Sequence, residues 1–186
     1  ERVYCANCYF DHLDRVRDDP NYRFALSECN NMIAMMNFRP ERMAELKGAI
    51  RDGKVELVNA FFLESTVNLS GGEALVRLGI EGLRWQQEMF GVRPRFAWCI
   101  DICGTHPQMA QITAGLGLEA LVYTRGNSTG STLHWLDAPD GTRAKPVSTR
   151  AQVVVPREGG PRAGARARGG RSPQARAFRA GRYLQA

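Results

Sequence analysis

The chain has 186 residues, 44% of them hydrophobic, and a formal net charge of +6 at pH 7. No run approaches the ~18 consecutive apolar residues of a membrane span, so no membrane partner is expected. The charge resembles a nucleic-acid footprint until it is divided: residues 150–186 hold nine Arg against one Glu, which leaves residues 1–149 at −2, slightly acidic.

In chain order, Cys5, Tyr9, Leu13 and Val16 predict a first helix ending near Asp18, Asp19 and Pro20. A short strand, YRFALS, follows at residues 22–27. Pro40 opens a second helix with a Met43, Leu46 and Ile50 stripe, and Gly53 closes it before the strand VELVNAFF, residues 55–62. A third helix starts at Ser70, with Glu73 as the other half of a capping box. Val76, Ile80, Leu83 and Phe90 form its expected buried face, and Gly91 ends it.

The next strand, FAWCI, is buried on both faces, and Asp101 is the first residue beyond its apolar run. Thr105 and Gln108 make a second candidate capping box, for a helix with a Met109, Ile112 and Leu116 stripe that Gly117 terminates before LEALVY, residues 118–123. Strands and helices alternating through short loops predict an α/β fold with a parallel sheet. In such folds the C-terminal strand edge carries the chemistry, so Asp101 is expected to be a ligand, a nucleophile or a structural acceptor rather than a plain surface charge.

The other chemically able residues point less clearly. Five cysteines, Cys5, Cys8, Cys29, Cys99 and Cys103, form no disulfide framework, which favours a reducing, cytoplasmic compartment. Cys5 and Cys8 form a CxxC on a helix with no second pair, so they read as packing residues, as do Cys99 and Cys103. His106 is a candidate ligand near Asp101 or a polar residue of a helical first turn, while His12 and His134 are expected to be solvated. The character of the sequence changes after Pro146, and residues 156–182 are almost all Arg, Gly, Ala and Pro. Residues 146–186 are expected to be a disordered tail, with out-of-frame reading of a GC-rich gene as one origin and binding of nucleic acid or an acidic partner as an alternative role.

Residues 51–127 resemble the N-terminal catalytic domain of the glycoside hydrolase family 38 α-mannosidases. The resemblance rests on Gly53, Glu64, the G-E-x-L-x-R helix start at Gly72–Arg77, Phe90 with Gly91, and the W-x-x-D-x-x-G segment Trp98–Gly104, in that order. It implies that residues 1–145 belong to a partial (β/α) barrel of the seven-stranded glycoside hydrolase/deacetylase type. It further implies a zinc-dependent retaining hydrolase acting on α-mannoside-containing oligosaccharides. Asp101 matches the family's catalytic nucleophile, which is also a zinc ligand; Arg125 matches an arginine lining the sugar site; Glu64 stands where an acidic sugar-site residue usually follows the preceding strand.

The departures are also specific. The family's H-x-D zinc pair is absent, and its D-x-F-G-H-S reads D-I-C-G-T-H at residues 101–106, with Cys103 in place of an aromatic and Thr105 in place of a histidine. The chain opens on Glu1, and its natural start is expected upstream. A later histidine ligand and the general acid are expected beyond this chain, so a fragment inactive alone is expected. A non-catalytic carbohydrate-binding or regulatory α/β domain is the alternative. A deacetylase ranks lower, because the three histidines form no H-x-x-x-H pair.

Overall fold

The computed structural model describes residues 2–102, 105–125, 133–144 and 146–148. The Cys5 side chain, Cys103, Gly104 and residues 149–186 lie outside the described residues, and with them most of the expected tail. Helix α1 (Arg2–Asp18) leads into strand β1 (Phe24–Leu26), helix α2 (Cys29–Phe38), a 3-10 turn at Pro40–Arg42, helix α3 (Met43–Arg51) and strand β2 (Val55–Leu57). Helix α4 (Gly72–Phe90), strand β3 (Phe96–Cys99), helix α5 (Met109–Gly115) and strand β4 (Ala120–Tyr123) follow, then the short strands β5 (Leu136–Asp137), β6 (Arg143–Ala144) and β7 (Pro146–Ser148).

The expected parallel pairing is present. β1 pairs parallel with β2, and β3, β4 and β7 form a parallel sheet in that order, while β5 and β6 make a small antiparallel ribbon. The sheets are small and unclosed. β7 lies in the segment expected to be a tail, so regular structure is present past residue 145, at Pro146–Ser148.

The two parallel groups meet where β2 runs out. Val58 N–H still donates to Leu26 O of β1 at 3.0 Å, whereas Ala60 N–H donates to Phe96 O of β3 at 2.9 Å. Asn59, between them, is 1% exposed, and its Oδ1 accepts the N–H groups of Phe61 and Trp98 at 3.1 and 3.2 Å. Gln86 of α4, fully buried, donates from Nε2 to Asn59 O at 2.9 Å. Two amide side chains thus satisfy backbone groups that a regular ladder would otherwise pair.

One core lies under α1, α2 and α3, with Phe10, Leu13, Leu26, Met32, Met35, Leu46 and Leu57 at its centre. A second packs α4 and α5 on β3 and β4 through Leu75, Leu83, Ala97, Cys99, Met109, Leu116 and Leu121. The other face of β3 and β4 carries Phe96, Ala120 and Val122 with Trp98 and Ile100 against them, as the period-2 alternation of a strand requires.

Several local expectations are corrected. Helix α2 has no counterpart in the sequence reading. Neither capping box forms: Ser70 Oγ donates to Thr66 O, Glu73 pairs with Arg77 at 2.7 Å, and neither Gly71 nor Gln108, the observed N-caps, makes a side-chain cap bond. The buried face of α4 is Leu75, Gly79, Gly82, Leu83 and Gln86, and Ile80 is half exposed. His12 is not simply solvated, since its Nδ1 meets Tyr22 Oη at 2.5 Å and its ring stacks on Tyr22 and Phe24. His134 likewise sits edge-on to Tyr123, its Nε2 2.6 Å from the phenol oxygen.

The glycines on α4 set the depth of packing. A Cβ on Gly82 would stand 2.2 Å from Ala60 O and 2.5 Å from Phe62 N, both backbone, whereas the nearest atoms to one on Gly79 would belong to the Leu116 side chain. Gly82→Ala is therefore expected to cost about 2–3 kcal/mol in urea unfolding despite alanine's better helix propensity. Gly79→Ala should cost no more than about 1 kcal/mol, because Leu116 can rotate away. Equal effects would show that the helix can lift off the 60–62 segment.

Candidate active site

Because β3 and β4 are parallel and in register, with Cys99 opposite Tyr123, their C-terminal ends open on the same edge. Asp101 and Arg125 each stand two residues beyond their strand. Arg125 donates from Nε and Nη2 to Asp101 Oδ1 at 2.8 and 2.5 Å. Asp101 Oδ2 has no hydrogen-bond partner among the described residues. The Asp101 backbone N–H donates to Glu64 Oε1 at 3.2 Å, and the Thr124 hydroxyl donates to Ile100 O, tying the two strand ends together.

All three residues singled out from the sequence therefore meet at one place. Asp101 differs from expectation in its setting: the strand stops at Cys99, Ile100 and Asp101 form a bend, and the Asp101 side chain is 75% exposed. Its burial is replaced by anchoring. A charge-assisted fork on one oxygen and a carboxylate on its own amide fix a side chain that packing does not enclose.

Beside this cluster, Asn59, Phe61, Leu63, Val67, Leu75 and Trp98 line a small hollow together with Glu64. Cys99 lies below, and burial pushes its thiol up to about 12. Burial does the same to Cys29. His106 Nδ1 accepts the Gln108 N–H at 3.1 Å, so that ring closes the turn before α5.

Zinc, implied by the resemblance, needs three or four protein donors. Among the described residues no group of three or more His, Cys, Asp or Glu side chains gathers in a form that could hold a metal. Glu64 Oε1 is taken by the Asp101 N–H, and Asp101 Oδ1 faces a guanidinium. The donors present do not fit a complete zinc site.

Sequence reasoning passed over two residues of this edge. Asn59 holds the Trp98 N–H just below it, and Glu28 stands two residues past β1, in the position that Asp101 and Arg125 occupy after their own strands. The rule that selected Asp101, the first residue beyond an apolar run, stops at Ser27 after Leu26 and so misses Glu28 by one residue.

Comparison with known proteins adds the following. Residues 2–134 match the model of the glycosyl hydrolases family 38 N-terminal domain. A protein of Halalkalibacterium halodurans that carries the name mannosylglycerate hydrolase is 29% identical over 160 residues, which cover 76% of this chain and 18% of that protein. Human alpha-mannosidase 2C1 is 24% identical over 144 residues, 75% of this chain and 14% of its own length. Among solved structures, an alpha-mannosidase from Enterococcus faecalis V583 superposes with a TM-score of 0.73 at 22% identity, covering 79% of this chain and 17% of that one. The chain thus spans less than a fifth of the length of these relatives.

The edge cluster is exposed, so its contribution to stability is small. Asp101→Asn and Arg125→Met are each expected to change the unfolding free energy by less than about 1 kcal/mol. A larger loss in urea titration would make the pair a structural clamp. The buried thiols give a separate check: with pKa pushed up to about 12, Cys29 and Cys99 should resist a thiol reagent at pH 8 and react only on unfolding.

Proposed function

Because the chain belongs to glycosyl hydrolase family 38 through its N-terminal domain, we propose that it is a portion of a retaining α-mannosidase in which Asp101 is the nucleophile. In this reading residues 1–145 are an arc of the catalytic (β/α) barrel, and the face bearing Phe96, Trp98 and Val122 turns towards its interior. The substrate class is a glycoside of α-mannose, at the end of an oligosaccharide or on a small acceptor. The names of the relatives support mannose as the sugar.

The observation that carries the proposal is the meeting of Asp101, Arg125 and Glu64 at one strand edge. In a retaining mechanism one carboxylate attacks the anomeric carbon, and an ester to the sugar forms as the glycosidic C–O bond breaks. A second acid protonates the departing oxygen, then takes a proton from the water that attacks the same carbon and releases the carboxylate. Arg125 engages Oδ1 and leaves Oδ2 to attack. Glu64 orients the Asp101 backbone and is close enough to accept from a sugar hydroxyl. The zinc of the resemblance would require donors besides Asp101 that the described residues do not gather.

A second reading keeps the sugar and drops the chemistry. The exposure of Asp101 and Arg125, 75% and 59%, suits a non-catalytic carbohydrate-binding surface. Two measurements separate the readings. This chain with added zinc should not turn over an aryl α-mannoside, because the described residues gather no group of three or more metal-ligating side chains. In a longer enzyme containing it, Asp101→Asn should lower kcat on the order of 10³-fold or more, the loss usual for a nucleophile. Full activity of that variant would sink the assignment, and mannoside affinity without turnover in the unmutated longer protein would favour the binding surface.

A further inference from the structure

Above Ala60 the two segments that lead to Glu64 and Asp101 are no longer joined through their backbones. Ala60 N–H donates to Phe96 O, and among the described residues no backbone hydrogen bond joins residues 61–64 to residues 97–101. Two side-chain oxygens take the place of the missing ladder. Asn59 Oδ1 forms the lower rung, accepting Phe61 N–H at 3.1 Å and Trp98 N–H at 3.2 Å. Glu64 Oε1 forms the upper rung, accepting Asp101 N–H at 3.2 Å. Each arm rises three residues, from Phe61 to Glu64 and from Trp98 to Asp101, so chain and hydrogen bonds close a ring that begins and ends on one amide oxygen.

The two rungs differ in how firmly they are held. Asn59 is 1% exposed, and buried Gln86 holds its carbonyl from the helix side, whereas Asp101 stands in solvent. The small hollow is lined by both rungs and both arms, through Asn59, Glu64, Phe61 and Trp98, so packing alone does not fix their separation. Asparagine is also costly at this position, because its Nδ2 is buried with no hydrogen-bond partner among the described residues. What the amide provides against that cost is one oxygen that takes two N–H groups.

We infer that Asn59 is a positioning residue of the Asp101 edge: its side-chain oxygen fixes the separation of the two arms, so that the Glu64 carboxylate meets the Asp101 N–H. Asn59 acts through Phe61 and Trp98, and among the described residues none of its hydrogen bonds reaches Glu64 or Asp101. For its consequence in catalysis the inference rests on Asp101 as the reacting carboxylate; its test does not.

The test compares amide NMR spectra and hydrogen exchange of the full chain with those of Asn59→Ala, Asn59→Ser and Asn59→Asp. Leu46→Ala is the control, since Leu46 is fully buried in the core under α1, α2 and α3. Asn59→Ala removes the shared oxygen, so the Phe61 and Trp98 amides should exchange about tenfold faster or more. The Asp101 amide should shift with them, although its own acceptor is untouched. Asn59→Asp keeps an oxygen in place and should restore most of the Asp101 shift, and the shorter Asn59→Ser should fall between the two. Leu46→Ala should lower Tm and leave the Asp101 amide where it is. An Asp101 amide that stays in place while Trp98 moves would overturn the inference. An equal Asp101 shift in Leu46→Ala would overturn it too, because the effect would then be general loosening. Should Asn59→Ala not fold, Asn59→Ser and Asn59→Asp decide by the same comparison of Asp101 with Trp98. None of these readouts uses substrate, so failure here and failure of the mannosidase assignment are separate events.

Discussion

Between Leu57 and Phe62 the chain leaves one parallel pair and joins another, and the buried amides of Asn59 and Gln86 make that crossing possible. A strand that changes partner strands its donors and acceptors for a residue or two, and each such group left unsatisfied in the core costs about 1–3 kcal/mol. Asn59 supplies one oxygen to two N–H groups on either side of the seam, and Gln86 closes the Asn59 carbonyl from the helix above. The β1 and β2 half and the β3 and β4 half are therefore stitched by side chains where the regular ladder lapses.

The same seam dictates how α4 can sit. For Gln86 to reach Asn59 O, the helix must lie almost on the backbone of residues 60–62, and Gly82 is the residue at the point of approach. Phe62 then has its N–H on Leu78 O and its carbonyl on the first turn of α2. From that fixed point the chain runs only two residues to Glu64. The position of a carboxylate at the strand edge is thus set by an amide and a glycine in the core, several residues away from any chemistry.

What the sequence disclosed, and what it hid, follows from these packing demands. Gly53, Gly91 and Gly117 were legible as stops because each adopts φ near +68°, where glycine has no steric cost. The parallel strands at Phe96–Cys99 and Ala120–Tyr123 were legible because both are continuous apolar runs buried on two faces. The face of α4 was misread by hydrophobicity, since close approach to backbone selects Gly79, Gly82 and Gln86 over bulk. Helix α2 was invisible for a related reason: Asn30 and Asn31 lower its propensity, it has no side-chain cap, and its stability comes from Cys29, Met32 and Met35 buried against other elements. Asp101 was reached through its place at a strand end and Arg125 and Glu64 through motif resemblance, whereas no pattern in the sequence singled out Glu28.

The exposed setting of Asp101 is informative about its part in the molecule. An ion pair with both partners more than half exposed contributes little to folding, so the geometry at Asp101 is not explained by stability. Yet its amide is bound by Glu64, its Oδ1 carries two donors, and the adjoining Ile100 carbonyl is held by Thr124. Several directional bonds spent on one solvent-facing carboxylate hold its orientation more tightly than its burial would. That arrangement suits the role proposed for Asp101, because a nucleophile must be aimed within a fraction of an ångström while its attacking oxygen stays open to the substrate. Rigid strands two residues below, rather than surrounding bulk, supply the aim.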